Sequence, residues 1–125
     1  MNFEYTSEFE KEKKLLTRKC RSLDQDLVNA ERVIGALYTD QESVDSGALR
    51  EKYFNGKNAT VLTANDNYQV VKMRVDCAAQ GSRQSLRLVF VFDRINRSIT
   101  FIELFSKTDK SREDQKRMLR YMKAT

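Results

Sequence analysis

Hydrophobic and polar residues alternate most clearly in the second half of the chain. In Tyr68–Cys77, Val71, Met73, Val75 and Cys77 fall on one parity, and Tyr68, Val70, Lys72, Arg74 and Asp76 fall on the other. A period of two belongs to a β-strand, so this stretch reads as a strand with one apolar and one partly basic face. Ser85–Phe92 is apolar on both parities beyond Arg87, the pattern of a strand buried on both sides in the middle of a sheet. Ile99–Lys107 is the next strand, reached through a hairpin loop at Asp93–Ser98.

The first half changes period. After a short alternating strand at Asn2–Thr6, Ser7-Glu8-Phe9-Glu10 reads as a capping box, with Ser7 capping and Glu10 reaching back. The helix it opens runs to about Arg21 and aligns Phe9, Leu16 and Cys20. Ser22-Leu23-Asp24-Gln25 is a second box. Leu23, Leu27, Ala30, Ile34 and Leu37 then recur at helical spacing as far as Tyr38. Residues 39–67 carry the weakest pattern: a polar loop, Leu49, Tyr53 and Phe54 as anchors, a short strand at Val61-Leu62, and a turn at Asn65-Asp66-Asn67. Ala78–Ser82 reads as a loop. A C-terminal helix over residues 109–122 uses Met118, Leu119, Tyr121 and Met122 as anchors. The order predicts an α+β fold: an antiparallel sheet meander with an N-terminal helical hairpin packed on one face and a short C-terminal helix.

At 125 residues and 14.6 kDa the chain has room for one domain, taken as 1–125. Its longest apolar run, Leu88–Phe92, falls far short of the ~20 residues of a membrane span. The acidic N-terminal stretch lacks the apolar segment of a signal peptide, so a cytoplasmic location is expected, with no membrane partner. Cys20 and Cys77 are expected as free buried thiols rather than as a bridge. There is no histidine, which argues against a zinc site, a Ser-His-Asp triad or a Cys-His dyad. No glycine-rich phosphate loop occurs either, and neither metal nor small-molecule cofactor is expected.

Charge changes the picture. Residues 68–125 hold 13 basic and 6 acidic side chains, whereas residues 1–67 hold 10 basic and 12 acidic. The positive field therefore belongs to the C-terminal half and suits a phosphate backbone or an acidic protein. Lys72 and Arg74 share a strand face, ~6–7 Å apart. Arg87 interrupts an apolar strand, so it either pairs with an acid such as Asp76 or Glu103 or faces a site. Lys107, Lys110 and Arg112 cluster before the last helix. Tyr53, Phe54 and Tyr68 read as anchors in preference to base-stacking platforms.

YQVVKMRVD, SLRLVFVFD and ITFIELFSKTDKSRED, in that order, resemble the RelE/ParE toxin superfamily of bacterial toxin–antitoxin systems, and FEYTSEFEKEKKLLTRK resembles its first strand and helix. The resemblance covers most of the chain outside residues 39–60. It implies a RelE-like fold and a type II toxin. RelE-type members cut mRNA in the ribosomal A site without metal, by attack of a 2′-hydroxyl on the adjacent phosphate. ParE-type members poison DNA gyrase. Both are silenced by a cognate antitoxin. Lys72 and Arg74 match the K-x-R strand, Arg87 the arginine of the central strand, and Lys107 the basic residue closing the last strand. The resemblance thus implies catalysis by Arg87, Lys72, Arg74 and Lys107, and the basic charge of the same half adds Arg83, Lys110 and Arg112 as expected RNA contacts. It implies a cognate antitoxin and ribosome-bound mRNA as partners. Asp114 stands where some members place a tyrosine, and Val70 where RelE has a second basic residue, so the usual acid–base group is replaced or missing. The alternative is a non-catalytic module of the same fold, acting through contact with gyrase or antitoxin.

Overall fold

A computed structural model describes residues 2–38, 52–54, 56–83 and 85–123, with residues 81–83 and 123 described by backbone alone. The elements are β1 (Asn2–Tyr5), α1 (Ser7–Thr17), α2 (Leu23–Leu37), β2 (Ala59–Ala64), β3 (Tyr68–Asp76), a 3-10 helix (Ala78–Arg83), β4 (Ser85–Asp93), β5 (Ser98–Ser106) and α3 (Gln115–Lys123). They build an α+β fold on a five-stranded sheet of order β1-β5-β4-β3-β2. β3 to β5 form the expected antiparallel meander, β2 extends it by pairing antiparallel with β3, and β1 adds to the β5 edge in parallel, pairing Phe3 with Ile99 and Tyr5 with Phe101. β4 lies at the centre, as its two-sided apolar pattern requires.

α1 and α2 cover one face. Their Phe9, Leu23, Leu27, Ile34 and Leu37 pack on Val71, Met73, Leu88, Phe90, Phe101 and Leu104. Phe9, Phe90 and Phe101 are fully buried, each ring stabilising the fold by about 2–3 kcal/mol through its removal from water. Tyr53 and Phe54 pack against this core as anchors. Leu49 and the polar loop from residue 39 lie outside the described residues.

Local details depart from the sequence reading. The cap of α1 is Thr6, whose hydroxyl accepts the Phe9 N–H at 3.1 Å, and Ser7 is already helical. Ser22 does occupy the N-cap of α2, but its hydroxyl makes no capping bond, being engaged with Asp26 and Ala79 instead. The loop expected at 78–82 is wound into the 3-10 helix. Cys20 and Cys77 are joined in a disulfide, Cα to Cα 6.0 Å, where free thiols were expected. The hairpin between α1 and α2 is thereby tied to the end of β3, a proximity that a separation of 57 residues conceals.

α3 lies on the opposite face, with Met118, Tyr121 and Met122 over Val70, Val89, Val91, Ile102 and Phe105. Leu119, expected as an anchor, is 48% exposed. The helix begins at residue 115 instead of 109 because the preceding segment crosses the sheet. A bulge positions that crossing. Val89 pairs with Glu103 and Phe90 with Phe101, so Ile102 is the extra residue. Uninterrupted alternation would place Glu103 among the core residues Ile99 and Phe101. The bulge turns it to the face of α3, opposite Val89 and in line with Lys72.

Beyond β1, the edge of β5 is closed by side chains. The Leu104 N–H donates to Glu12 Oε1 at 3.1 Å, and Arg117 Nη1 donates to the Ile102 carbonyl at 2.9 Å and to Glu12 Oε1 at 2.8 Å. These contacts protect an edge that would otherwise offer free backbone groups to another strand. Among the described residues, no helix is long and apolar enough to cross a membrane.

Candidate phosphate-binding site

The face that carries α3 holds two successive cross-strand rows of charge. In the first, Lys72, Val89 and Glu103 stand side by side on β3, β4 and β5. The segment at 110–114 straddles this row and closes both ends. Lys72 Nζ meets Glu113 Oε1 at 2.9 Å. Lys110 Nζ pairs with Glu103 Oε2, and the Asp114 N–H donates to Glu103 Oε1 at 2.9 Å. Both glutamates are almost wholly buried, with side-chain exposures of 5% for Glu113 and 1% for Glu103. A buried carboxylate left unpaired is strongly destabilising, so Lys72 and Lys110 are bound to a structural task. Burial alone would raise Glu113, but the hydrogen bond and charge of Lys72, with Arg112 adding to them, hold it below the usual carboxylate value.

The second row is Arg74, Arg87 and Phe105. Arg74 and Arg87 are direct partners across antiparallel strands, which brings their Cβ atoms ~4.5–5.5 Å apart. Like charges placed so are destabilising unless something offsets them. One carboxylate, Asp76, is bonded to Arg74 and reaches Arg87 only through its charge. Arg74 Nε donates to Asp76 Oδ1 at 2.8 Å, and this bond, followed by a hydrogen bond from Ser85 and the charges of Arg74 and Arg87, holds Asp76 low against the opposing effect of burial. Arg87 Nη1 donates to Ser85 Oγ at 2.7 Å and to the Leu86 carbonyl at 3.2 Å. Its guanidinium is pulled below its ordinary value, by burial first and by the charge of Arg74 second, with Asp76 opposing. An anion seated between the two arginines would relieve both effects, and a phosphate oxygen pair matches the fork of a guanidinium. Phe105 completes the row as a buried apolar neighbour, with Lys110 Nζ 5.0 Å from its ring centre.

Of the four residues expected in catalysis, the fold therefore brings Arg74 and Arg87 together directly. Lys72 stands one row away, held by Glu113. Lys107 is exposed in the turn after β5 and stands outside the row. Of the expected RNA contacts, Lys110 is committed to Glu103. Arg112 is open to solvent, its Nε 3.6 Å from Glu113 Oε2. Arg83 belongs to the 3-10 helix by its backbone, and its side chain lies outside the description. Asp76, offered in advance as one partner for Arg87, does lie within its electrostatic reach. The other, Glu103, is already taken.

Sequence reasoning missed Ser85, Phe105 and Glu113. Ser85 and Asp76 sit at facing ends of β3 and β4 and could have been read from the hairpin register. Glu113 gave no signal, since 41 residues separate it from Lys72. Comparison with protein-family models, with curated proteins and with solved structures finds no match.

Proposed function

We propose that this chain is the toxin of a type II toxin–antitoxin system of the RelE/ParE kind, and that it binds mRNA on the ribosome through a phosphate seated between Arg74 and Arg87. The observation that carries the reading is that pair: two arginines directly opposed on neighbouring strands, only Arg74 ion-paired to Asp76, on a face that α3 covers only in part. A pair that is unfavourable in the empty protein is favourable once an anion stands between its members. In an endonucleolytic step the two guanidiniums would stabilise charge on the phosphate under attack by the 2′-hydroxyl, each donor contributing about 3–4 kcal/mol if well aligned. The partner that neutralises such a toxin would be a cognate antitoxin whose acidic segment matches the basic C-terminal half.

A second reading has its own support. Lys72 and Lys110 are neutralised by buried glutamates, and Asp76, the carboxylate nearest the arginines, is held low and is a weak base. Those features favour a module that grips an acidic surface, of gyrase or of an antitoxin, without cutting RNA. Induced expression in a bacterial host, with growth, mRNA integrity and DNA supercoiling followed together, separates the two. Growth arrest with cleaved mRNA supports the first. Growth arrest with intact mRNA and altered supercoiling supports the second. Normal growth at high expression without any antitoxin contradicts the nuclease and the gyrase-binding readings and leaves only a module that binds an antitoxin.

A further inference from the structure

Independently of the sheet face, we propose that Cys20, Cys77 and Asp26 form a binding site for a thiophilic divalent metal, zinc above all, which opens when the disulfide is reduced. The two sulfurs and the Asp26 carboxylate lie within 4.8 Å of one another, and all three residues are buried. Cys20 Sγ is 3.5 Å from Asp26 Oδ2. A fourth oxygen stands among them: Ser22 Oγ is 2.7 Å from Asp26 Oδ2 and 3.6 Å from each sulfur. The set therefore offers two sulfurs and a carboxylate, with a hydroxyl or a water for the fourth position, which is a zinc-type donor set. The missing histidine argued against a zinc site from the sequence, but this donor set uses none.

The carboxylate is the telling group. Buried carboxylates are normally surrounded by donors. Asp26 receives one short bond, from Ser22, and two long approaches from the Ala78 N–H at 3.3 and 3.4 Å. Cys20 Sγ lies 3.5 Å from the same Oδ2, and a disulfide sulfur carries no proton to give. A metal held by the two thiolates would supply a positive partner there, with the Ser22 hydroxyl and the Ala78 N–H orienting the carboxylate. A surface recess of about 260 Å³, lined by Asp26, Asn29 and Ala78 among others, reaches the carboxylate side of the set.

The chemistry balances in two steps. Two equivalents of a small thiol reduce the Cys20–Cys77 bond, giving two protein thiols and one small-molecule disulfide. The metal then forms two metal–sulfur bonds and releases the two thiol protons to solvent, with no change in its oxidation state. Sulfurs sharing a zinc stand ~3.7 Å apart, given Zn–S bonds of ~2.3 Å, so the two side chains must separate, and the Cα spacing of 6.0 Å leaves room for that.

The test uses the whole chain, reduced with a phosphine, stripped with a chelator and titrated anaerobically with Co²⁺ alone, then with Zn²⁺. The expected result is a set of near-ultraviolet thiolate-to-cobalt bands that saturates at one equivalent and is erased by Zn²⁺. Protein with its disulfide intact should give no such bands. Asp26→Asn, which keeps both sulfurs, should weaken zinc by about tenfold or more. Reduced protein that stays folded by circular dichroism yet develops no bands overturns the proposal, as does Asp26→Asn titrating like the wild type. If reduction alone unfolds the chain, one equivalent of Zn²⁺ must restore the dichroism, and failure to do so is equally fatal.

Discussion

Replacing Lys72 with methionine separates its structural task from a direct role at the site. Methionine keeps most of the apolar stem and removes the charge, leaving Glu113 without the partner 2.9 Å away. Stripping a fully buried carboxylate of its cation costs about 3–5 kcal/mol. Here the cost is smaller. Glu113 retains Gln115 Nε2 at 3.0 Å and Arg112 Nε at 3.6 Å, and the Lys72 side chain is itself 25% exposed, so the pair is partly screened. The expected loss is about 1–3 kcal/mol. In urea unfolding at pH 7 followed by circular dichroism, that lowers the midpoint by about 1–2 M for a chain of this size. Adding Glu113→Leu should recover most of the loss, because the uncompensated charge goes with it. A Lys72→Met protein within about 0.5 kcal/mol of wild type would refute the structural assignment and return Lys72 to the site.

Four further outcomes follow from the same contacts. Arg74→Gln should leave stability within about 0.5 kcal/mol of wild type in urea unfolding, because it removes a like charge along with a half-exposed ion pair. Glu12→Ala, which strips the Leu104 N–H and the Arg117 guanidinium of one acceptor, should cost about 2–4 kcal/mol in the same assay. Glu113, Asp114 and Asp76 are all held below their ordinary values of 4.5, 3.8 and 3.8. Such groups stabilise above the unfolded values and lose that contribution as pH falls through the folded ones, so the thermal midpoint should be flat above about pH 5 and fall progressively below pH 4.5. Reducing the disulfide, which closes a loop of 57 residues, should lower stability by about 2–4 kcal/mol, measured by urea unfolding with and without phosphine in chelator.

The parts of the fold that were legible are those with an unbroken period. The alternation of Val71, Met73 and Val75 against Lys72 and Arg74 places β3 and its two faces correctly, and the two-sided apolar run after Arg87 places β4 at the centre. Because register follows from alternation and turn length, the meeting of Arg74 with Arg87 was accessible in advance. The rest depended on single insertions or long separations. One bulged residue, Ile102, decides which face Glu103 takes, and alternation counted through Ile99–Lys107 gives the wrong one. The cap fell on Thr6 instead of its neighbour Ser7, a one-residue choice that two adjacent hydroxyls leave open. The Cys20–Cys77 and Lys72–Glu113 pairings join parts of the chain that no local pattern connects. Lys107 matched a motif position, but the chain has already turned away from the row when it reaches that residue.

The central claim is that Arg87 and Arg74 together seat an RNA phosphate. Its most direct test is the salt dependence of single-stranded RNA binding by wild type and Arg87→Ala, with folding of the variant confirmed by circular dichroism. Loss of one phosphate contact should weaken binding at fixed low salt by about tenfold or more and make the slope of log K against log salt shallower by about 0.7–1. A folded Arg87→Ala protein that binds RNA with wild-type affinity and slope would contradict the claim.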